Sequence, residues 1–563
     1  MQPRLVPKLI TCLRGYTARA FAADLAAGVT VGLVALPLAM AFAIASGVPP
    51  QAGLYCAVLA GFLISALGGS RTQIGGPTGA FVVVVAGIAA QHGLDGLFVC
   101  TFLAGVLLVL LGLTGLGTVV KFLPRPVVIG FTNGIAVLIA STQIKDFLGL
   151  VVERPVSGEF LDRMESLAEA IDTVNPAAAA LAAGSLAVII LCMRCVKRVP
   201  GAIAAMVLGT LAAWLLSLDV ATIGSRFNGI PQGLPELRVP HVDPHSLLPL
   251  LSPALTVALL GAIESLMSAV VADRMTGDKH NPNVELVAQG FANIASPLFG
   301  GLPATGAIAR TATNIRSGAT TPVAGMTHAL TLLAVLLFAA PLASYIPLAV
   351  LSAILFVVAY NMGEWHEIPK LLKMSWASIS VWLATLLLTV FADLTVAVEI
   401  GLLLAAVLYI RKVTQTTTVT RVSRQYVEEG RLHILQDKHI PDYVTVVRIH
   451  GPFLFGATDK LQDVLDHADG LTPVVVLRLR NMTAIDATGL QALEDAADRL
   501  HAAGRALILC GARPQPAELM HQVEFEQHVG HENICPNIKA ALARAEELHK
   551  NQQAQGAAAA QVW

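Results

Sequence analysis

Between about residues 21 and 410 the sequence is a succession of apolar runs, such as "AGVTVGLVALPLAMAFAIA" and "LTLLAVLLFAAPLA", separated by short connections rich in Gly, Pro or Arg. In hydrocarbon every backbone N–H and C=O must find its partner inside the protein, which restricts such a chain to packed helices. At roughly 20 residues per crossing, the region holds about a dozen or more of them. Composition agrees: 55% of the 563 residues are hydrophobic and 13% charged, against roughly 25% charged in a soluble domain. A formal net charge of -1 supplies no basic surface for nucleic acid. The seven cysteines are scattered, and the lone "CMRC" at Cys192 to Cys195 has neither a second pair nor a nearby His, so neither a disulfide framework nor a zinc site is indicated. Residues 1–20 are basic and precede no cleavage site, and they read as a cytoplasmic lead-in.

Spans are expected near 24–46, 51–69, 77–91, 94–117, 127–148, 176–194, 200–219, 252–271, 285–299, 305–316, 321–343, 346–362, 376–391 and 394–410. Lys121, Arg125, Arg194, Lys197, Arg198, Arg274, Lys279, Arg316, Lys370, Lys373, Arg411 and Lys412 then all fall on one side, the cytoplasmic one. An even count, about fourteen, returns the tail to that side. The two halves echo each other. "AGFLISALGGSRTQIGGPTGAF" and "QGFANIASPLFGGLPATGAIAR" share a Gly-Phe, a Gly-Gly, then a Pro and a small-residue helix start. Paired Gly/Pro-interrupted segments in two halves point to an inverted-repeat transporter whose substrate lies between two half-helix N-termini. The expected domains are a transport domain over residues 21–412, a linker over 413–429, an α/β domain over 430–550 built from runs such as "YVTVVRI" and "TGLQALEDAADRLHAAG", and a disordered tail over 551–563.

A helix that begins inside the membrane presents free N–H groups and a positive dipole end. Arg310, about one turn into the helix starting near Thr305, adds a full charge there. The facing segment "GGPTGAF" offers the backbone N–H groups of Thr78, Gly79 and Ala80 and the Thr78 hydroxyl. Together they form a candidate anion site. Glu264, in the apolar "LLGAIESLMSAVVADR" beside Ser265 and Ser268, is the second candidate. It serves either as a structural partner of Arg310 or as the site of a coupled proton or sodium ion, and the residues alone leave both open. Asp24, Asp273 and Glu399 lie nearer span ends and read as caps or interface groups, and Asp393 as a turn residue. In the tail, Asp486 caps the helix that carries Thr488. The absence of G-x-x-x-x-G-K-[ST], H-E-x-x-H and G-x-S-x-G leaves an ATP-driven pump or a hydrolase without support, and no catalytic or metal-binding residues are assigned.

"DLAAGVTVGLVALPLAMAFAIASGVPPQAGLY" and "GGLPATGAIARTATNIRSGATTP" resemble the first two spans and the tenth-span region of the sulfate permease (SulP) family of anion transporters, and the tail with "AIDATGL" resembles a STAS domain. The resemblance implies fourteen spans in a seven-plus-seven inverted repeat of the uracil-permease type, with core and gate domains, an elevator movement, homodimers, and a cytoplasmic α/β STAS domain open to a partner. It places Phe42, Thr78, Ile308, Ala309 and Arg310 around the substrate, Glu264 and Ser268 at a site-lining position on the eighth span, and Thr488 at a position phosphorylated in related stand-alone STAS proteins. It implies a bacterial inner-membrane carrier, not an enzyme, with H+ or Na+ as coupling ion and no other cofactor, surrounded by lipid. Leu38 and Ala309 stand where many members have Gln and Ser. With "TVGLVALPLAMAFAIASGV" and "GAIESLMSAVVADRMTGDKHN" they resemble the branch that includes the four-carbon dicarboxylate transporter. The expected substrate is therefore a succinate- or fumarate-like dicarboxylate. Alternatives are a sulfate or bicarbonate carrier, a passive anion channel, or a membrane scaffold that presents the tail.

Overall fold

The helices follow from the apolar runs and end where Gly, Pro and capping residues interrupt them. The computed structural model describes residues 6–117, 124–152, 160–195, 200–233, 235–237, 247–392, 394–422, 440–466 and 471–560. Lys121, Lys197, Arg198 and Asp393, and the side chain of Glu399, lie outside this description. In chain order the helices are α1 Lys8–Cys12, α2 Ala18–Ala45, α3 Pro50–Leu67, α4 Gly79–Leu113, α5 Arg125–Leu148, α6 Phe160–Glu169, α7 Pro176–Cys195, α8 Gly201–Leu215, α9 Ile223–Phe227, α10 Leu247–Thr276, α11 Pro282–Leu298, α12 Ile308–Arg316, α13 Val323–Phe338, α14 Ala340–Ala343, α15 Leu348–Met362, α16 Ile368–Leu371, α17 Trp376–Phe391 and α18 Leu394–Thr416. Two strands of two residues, β1 Gly75–Gly76 and β2 Thr305–Gly306, interrupt them.

Among the described residues seven helical stretches, namely α2, α3, α4, α5, α7, α10 and Leu348–Leu371, which begins with α15, are long and apolar enough to cross a membrane on their own, and shorter apolar helices join them. α4 is two helices end to end: Gly93, with φ 71°, breaks it where the sequence predicts the join between two spans. With α4 counted as two, α2, α3, α4, α5, α7 and α8 supply seven segments, and α10, α11, α12, α13, α15, α17 and α18 supply seven more, as the inverted repeat requires. They sort into two packing groups. α2, α3 and α4 pack with α10, α11, α12 and α13, while α5 packs with α15 and α17, and α7 with α8 and α15. Small residues let backbones approach within the first group: a Cβ on Gly105 of α4 would lie 2.8 Å from the Gly290 carbonyl oxygen of α11.

A buried carboxylate closes one end of this group. Asp24 on α2, fully buried, accepts from Tyr16 Oη (2.8 Å), from the backbone N–H groups of Thr320 (2.6 Å) and Thr321 (3.1 Å), and from the hydroxyls of both threonines. It holds the turn that follows α12, and its role goes beyond the span-end cap expected of it. Burial, and then the bond to Asp24, pushes the Tyr16 hydroxyl up to about 12. Nearby, α1 is tied down by Lys8, whose Nζ lies 2.8 Å from Asp278 and whose N–H donates to the Gly68 carbonyl. Partial burial works to raise the Asp278 pKa, but the Lys8 bond, the Lys279 backbone and the Lys8 and Arg71 charges bring it below its ordinary 3.8. A depressed carboxylate contributes stability that is present above the unfolded value and is lost as pH falls through the native one. The thermal midpoint of the full-length protein in detergent is therefore expected to drop on acidification below about pH 4. Lys8→Ala should make that drop smaller, and an identical acid profile in the variant would refute the assignment.

The chain divides within α18 into units Met1–Leu403 and Leu404–Trp563. In the second unit a five-stranded sheet runs β3 (Thr418–Val422), β4 (Val444–Phe453), β5 (Val474–Ile485), β6 (Ala506–Cys510), β7 (Ile534–Cys535), with β3 antiparallel to β4 and all other neighbours parallel. Helices α19 (Asp459–Asp466), α20 (Ala487–Ala502), α21 (Pro514–Gln522), α22 (Glu526–Val529) and α23 (Ile538–Ala560) complete it. β4 and β5 read as continuous apolar runs because both faces are covered. Val447, Ile449, Leu477 and Leu479 pack with Leu461 of α19 and Leu490 and Leu493 of α20. Val446, Val476 and Ile508 pack with Ala541 and Ala545 of α23.

Two expected boundaries differ. Residues 413–422, read as linker, complete α18 and form β3, whose "TVTRV" alternation finds an edge to pair with. Residues 551–560, read as disordered, continue α23, since Gln- and Ala-rich sequence has high helix propensity once a packed helix precedes it.

Candidate functional site: a cavity between two broken helices

The two short strands position the site. Gly75 pairs with Gly306 and Gly76 with Thr305 in antiparallel register, so that α4 and α12 start from the same crossing. Extended backbone at this depth requires internal partners. Ala307 N–H donates to the Ile74 carbonyl (2.8 Å), Ile74 N–H to Thr311 Oγ1 (3.0 Å), and Gly306 N–H to Ser265 Oγ (3.1 Å). Asn314 and Gln73 side-chain amides bond the carbonyls of Thr72 and Ser265. Gly76 has φ 142°, and a Cβ there would lie 2.8 Å from Arg310 Nη1. Only glycine suits both the conformation and the approach.

Arg310 is 3% exposed. Its Nη2 donates to the carbonyl of Pro77, just before α4, while Nη1 is buried without a partner. A guanidinium on α12 thus holds the entry to α4, and its charge sits where two helix N-termini converge. Leaving a buried charge uncompensated costs about 3–5 kcal/mol, a penalty that favours an anionic guest beside it.

Thr78 caps the start of α4 in extended conformation and donates through Oγ1 to Glu264 Oε2 at 2.8 Å. Glu264 and Arg310 form no ion pair: the carboxylate accepts from the Thr78 hydroxyl, and the guanidinium donates to the Pro77 carbonyl. A cavity of about 310 Å3 opens here. Phe42, Thr78, Gly79, Ala80, Glu264, Ile308, Ala309 and Arg310 all line it, and so does Leu38. Ser268 is placed elsewhere. It is fully buried between α10 and α12, with its hydroxyl 3.1 Å from Thr311 Oγ1, because α12 covers this turn of α10. Asp273 bonds His280. Thr488 is exposed in the first turn of α20, in the second unit, where the Asp486 side chain accepts from Gly489 N–H at 2.8 Å.

The opposite wall escaped the sequence reading. Phe131, Thr132 and Ile135 of α5, Val358, Asn361 and Met362 of α15, and Glu364 beyond it line the cavity. Glu364 is held in left-handed conformation with φ 41°. That wall carries no charge within α5 or α15 to mark it. Only the Gly-Glu pair ending "AYNMGE" offers a sequence signal.

A helical membrane protein with broken helices meeting at a small, partly polar cavity has the architecture of a carrier. The comparisons say which kind: residues 21–385 match the sulfate permease family and residues 436–541 the STAS domain. The chain belongs to the sulfate permease family of anion transporters. It is similar to a putative sulfate transporter, YvdB, of Bacillus subtilis (strain 168), 43% identical over 92% of this chain and 97% of that protein. It is also similar to the bicarbonate transporter BicA of Picosynechococcus, 31% identical over 93% of this chain and 94% of that protein. The transmembrane domain of a cyanobacterial BicA superposes with a TM-score of 0.62 at 35% identity, covering 69% of this chain and 98% of that one. The murine anion transporter Slc26a9 shares the fold, with a TM-score of 0.85 at 18% identity over 96% of this chain and 94% of that one.

Proposed function

We propose that this protein is a secondary active carrier that moves a small oxyanion of the sulfate or bicarbonate class across a bacterial inner membrane, coupled to H+ or Na+. The observation that carries the reading is the convergence of two half-helix N-termini, Arg310 and Glu264 on one cavity. The names of the relatives favour the inorganic anion. Coupling follows from the charge of the lining: one arginine faces two glutamates, Glu264 and Glu364, so an anion enters a site that is net negative until a cation neutralises a carboxylate. In an elevator cycle, the α2–α4 and α10–α13 group would carry the site past the wall of α5 and α15. The STAS domain, with exposed Thr488, would lie in the cytoplasm of a homodimer.

A second reading is supported by the apolar side of the cavity. Leu38, Phe42, Leu260, Ile263 and Met267 suit the methylene groups of a four-carbon dicarboxylate, with one carboxylate on Arg310. Uptake of labelled sulfate, bicarbonate and succinate into proteoliposomes, with and without imposed pH and sodium gradients, separates the two. Accumulation of an inorganic anion driven by either gradient is the expected result. Accumulation of succinate alone would replace the first reading with the second, and flux indifferent to both gradients would refute coupling.

A further inference from the structure

Glu364 occupies a backbone conformation that a glutamate does not adopt without cause. It follows α15 with φ 41° and ψ 35°, a left-handed geometry that is unfavourable for a residue with a Cβ and comes readily only to glycine. Its neighbours hold it there. Asn133, fully buried on α5, donates through Nδ2 to the carbonyl of Gly363 and accepts from Trp382 Nε1 of α17 at 2.9 Å. The Glu367 N–H donates to the Glu364 carbonyl at 2.8 Å, and Trp365 Nε1 to the Tyr360 carbonyl of α15 at 2.9 Å. The backbone on either side of Glu364 is thus fixed from α5, α15 and α17. Its carboxylate ties nothing down: among the described residues it forms no hydrogen bond and no ion pair. The cations nearby belong to Glu367 instead, with Arg125 at 2.7 Å and Lys370 at 2.8 Å. Both cations are about two-thirds exposed, at 67% and 66%, so this end of the wall meets the aqueous surface.

Strain kept in a residue whose side chain stabilises no neighbour points to a function for that side chain. Glu364 lines the same cavity as Arg310, Thr78 and Glu264. Its negative charge repels an anion held at Arg310, and the repulsion grows in proportion to the anion's own charge. We propose that Glu364 is a specificity-determining residue of the anion site, which selects singly charged oxyanions over doubly charged ones. The inference rests on the reading of this cavity as the substrate site. Within that reading it narrows the substrate class to the bicarbonate type, since sulfate and a dicarboxylate each meet the repulsion twice over.

Anion-dependent stabilisation of the full-length protein in detergent tests this, because a ligand that binds the native state raises the thermal midpoint once its concentration passes the dissociation constant. Bicarbonate and sulfate are titrated separately at mildly alkaline pH, where they carry one and two charges, with gluconate holding ionic strength constant. Glu364→Gln keeps the size of the side chain and removes its charge. Half-saturation by bicarbonate is expected to fall about fivefold in this variant, and half-saturation by sulfate about 25-fold, the square of that factor. Glu364→Gly also removes the charge and accommodates the left-handed backbone. It should show the same two shifts, with a midpoint in anion-free buffer at or above that of the parent. Arg310→Ala should be stabilised by neither anion. Stabilisation that survives in Arg310→Ala, or that is missing for both anions in the parent, would overturn the reading of the cavity and this inference with it. Where Arg310→Ala behaves as expected, three results would overturn the selection by Glu364 alone: equal shifts for the two anions in Glu364→Gln, tighter binding of sulfate than of bicarbonate by the parent, or a lowered anion-free midpoint in Glu364→Gly.

Discussion

Arg310→Ala is expected to abolish saturable uptake while the protein still inserts and purifies as a folded particle. Two contributions are lost together. The Nη2 bond to the Pro77 carbonyl disappears, and a hydrogen bond to a charged donor is worth about 1.5–3 kcal/mol, so the entry to α4 loses its tie to α12. The positive charge beside the two helix N-termini goes as well, and with it the main attraction for an anion. Their sum corresponds to a fall of at least about a hundredfold in Vmax/KM. Arg310→Lys should recover only part of it, because an ammonium is a compact point charge without the rigid fork that spans Pro77 and the cavity. Radiotracer uptake into proteoliposomes, alongside size-exclusion profiles, measures both. Normal uptake by a monodisperse Arg310→Ala protein would remove the residue from the site.

Glu264→Gln is expected to separate movement from accumulation. The amide oxygen can still accept from Thr78 Oγ1, so the local geometry at the start of α4 is kept while the charge that binds a proton or sodium ion is gone. A carrier with one-to-one proton coupling concentrates its anion about tenfold per pH unit of gradient. The variant should equilibrate its substrate without concentrating it. The accumulation ratio under imposed pH and sodium gradients decides the matter. An unchanged ratio would assign Glu264 a structural role, with coupling left to another group, of which Glu364 is the next carboxylate on the lining.

Much of the site was legible because broken membrane helices announce themselves locally. "GGPTGAF" and "GGLPATGAIAR" combine glycine, proline and a polar or charged residue at a depth where ordinary helices are uniformly apolar, and the structure puts a strand and a helix start at each. The second wall was not legible. α5 and α15 present mostly apolar residues to the cavity, and such residues differ in no respect from those that face a neighbouring helix or lipid. Ser268 shows the converse limit. Helical spacing puts it one turn from Glu264, but the position of α12 decides that the serine is enclosed and the glutamate lines the cavity.

By itself the sequence determined the membrane class, the number and approximate limits of the membrane spans, the α/β character of the tail and the two interruptions, since each depends on composition and spacing within a few dozen residues. Only the tertiary structure decided that Arg310 reaches a carbonyl 233 residues earlier, that Thr78 and not Arg310 bonds Glu264, and that Asp24 gathers the turn after α12. The physical reason lies in the solvent. In lipid the outward and inward faces of a helix are both apolar, so no hydrophobic periodicity marks which side packs. Close approach of small residues and a few buried hydrogen bonds select the partners instead.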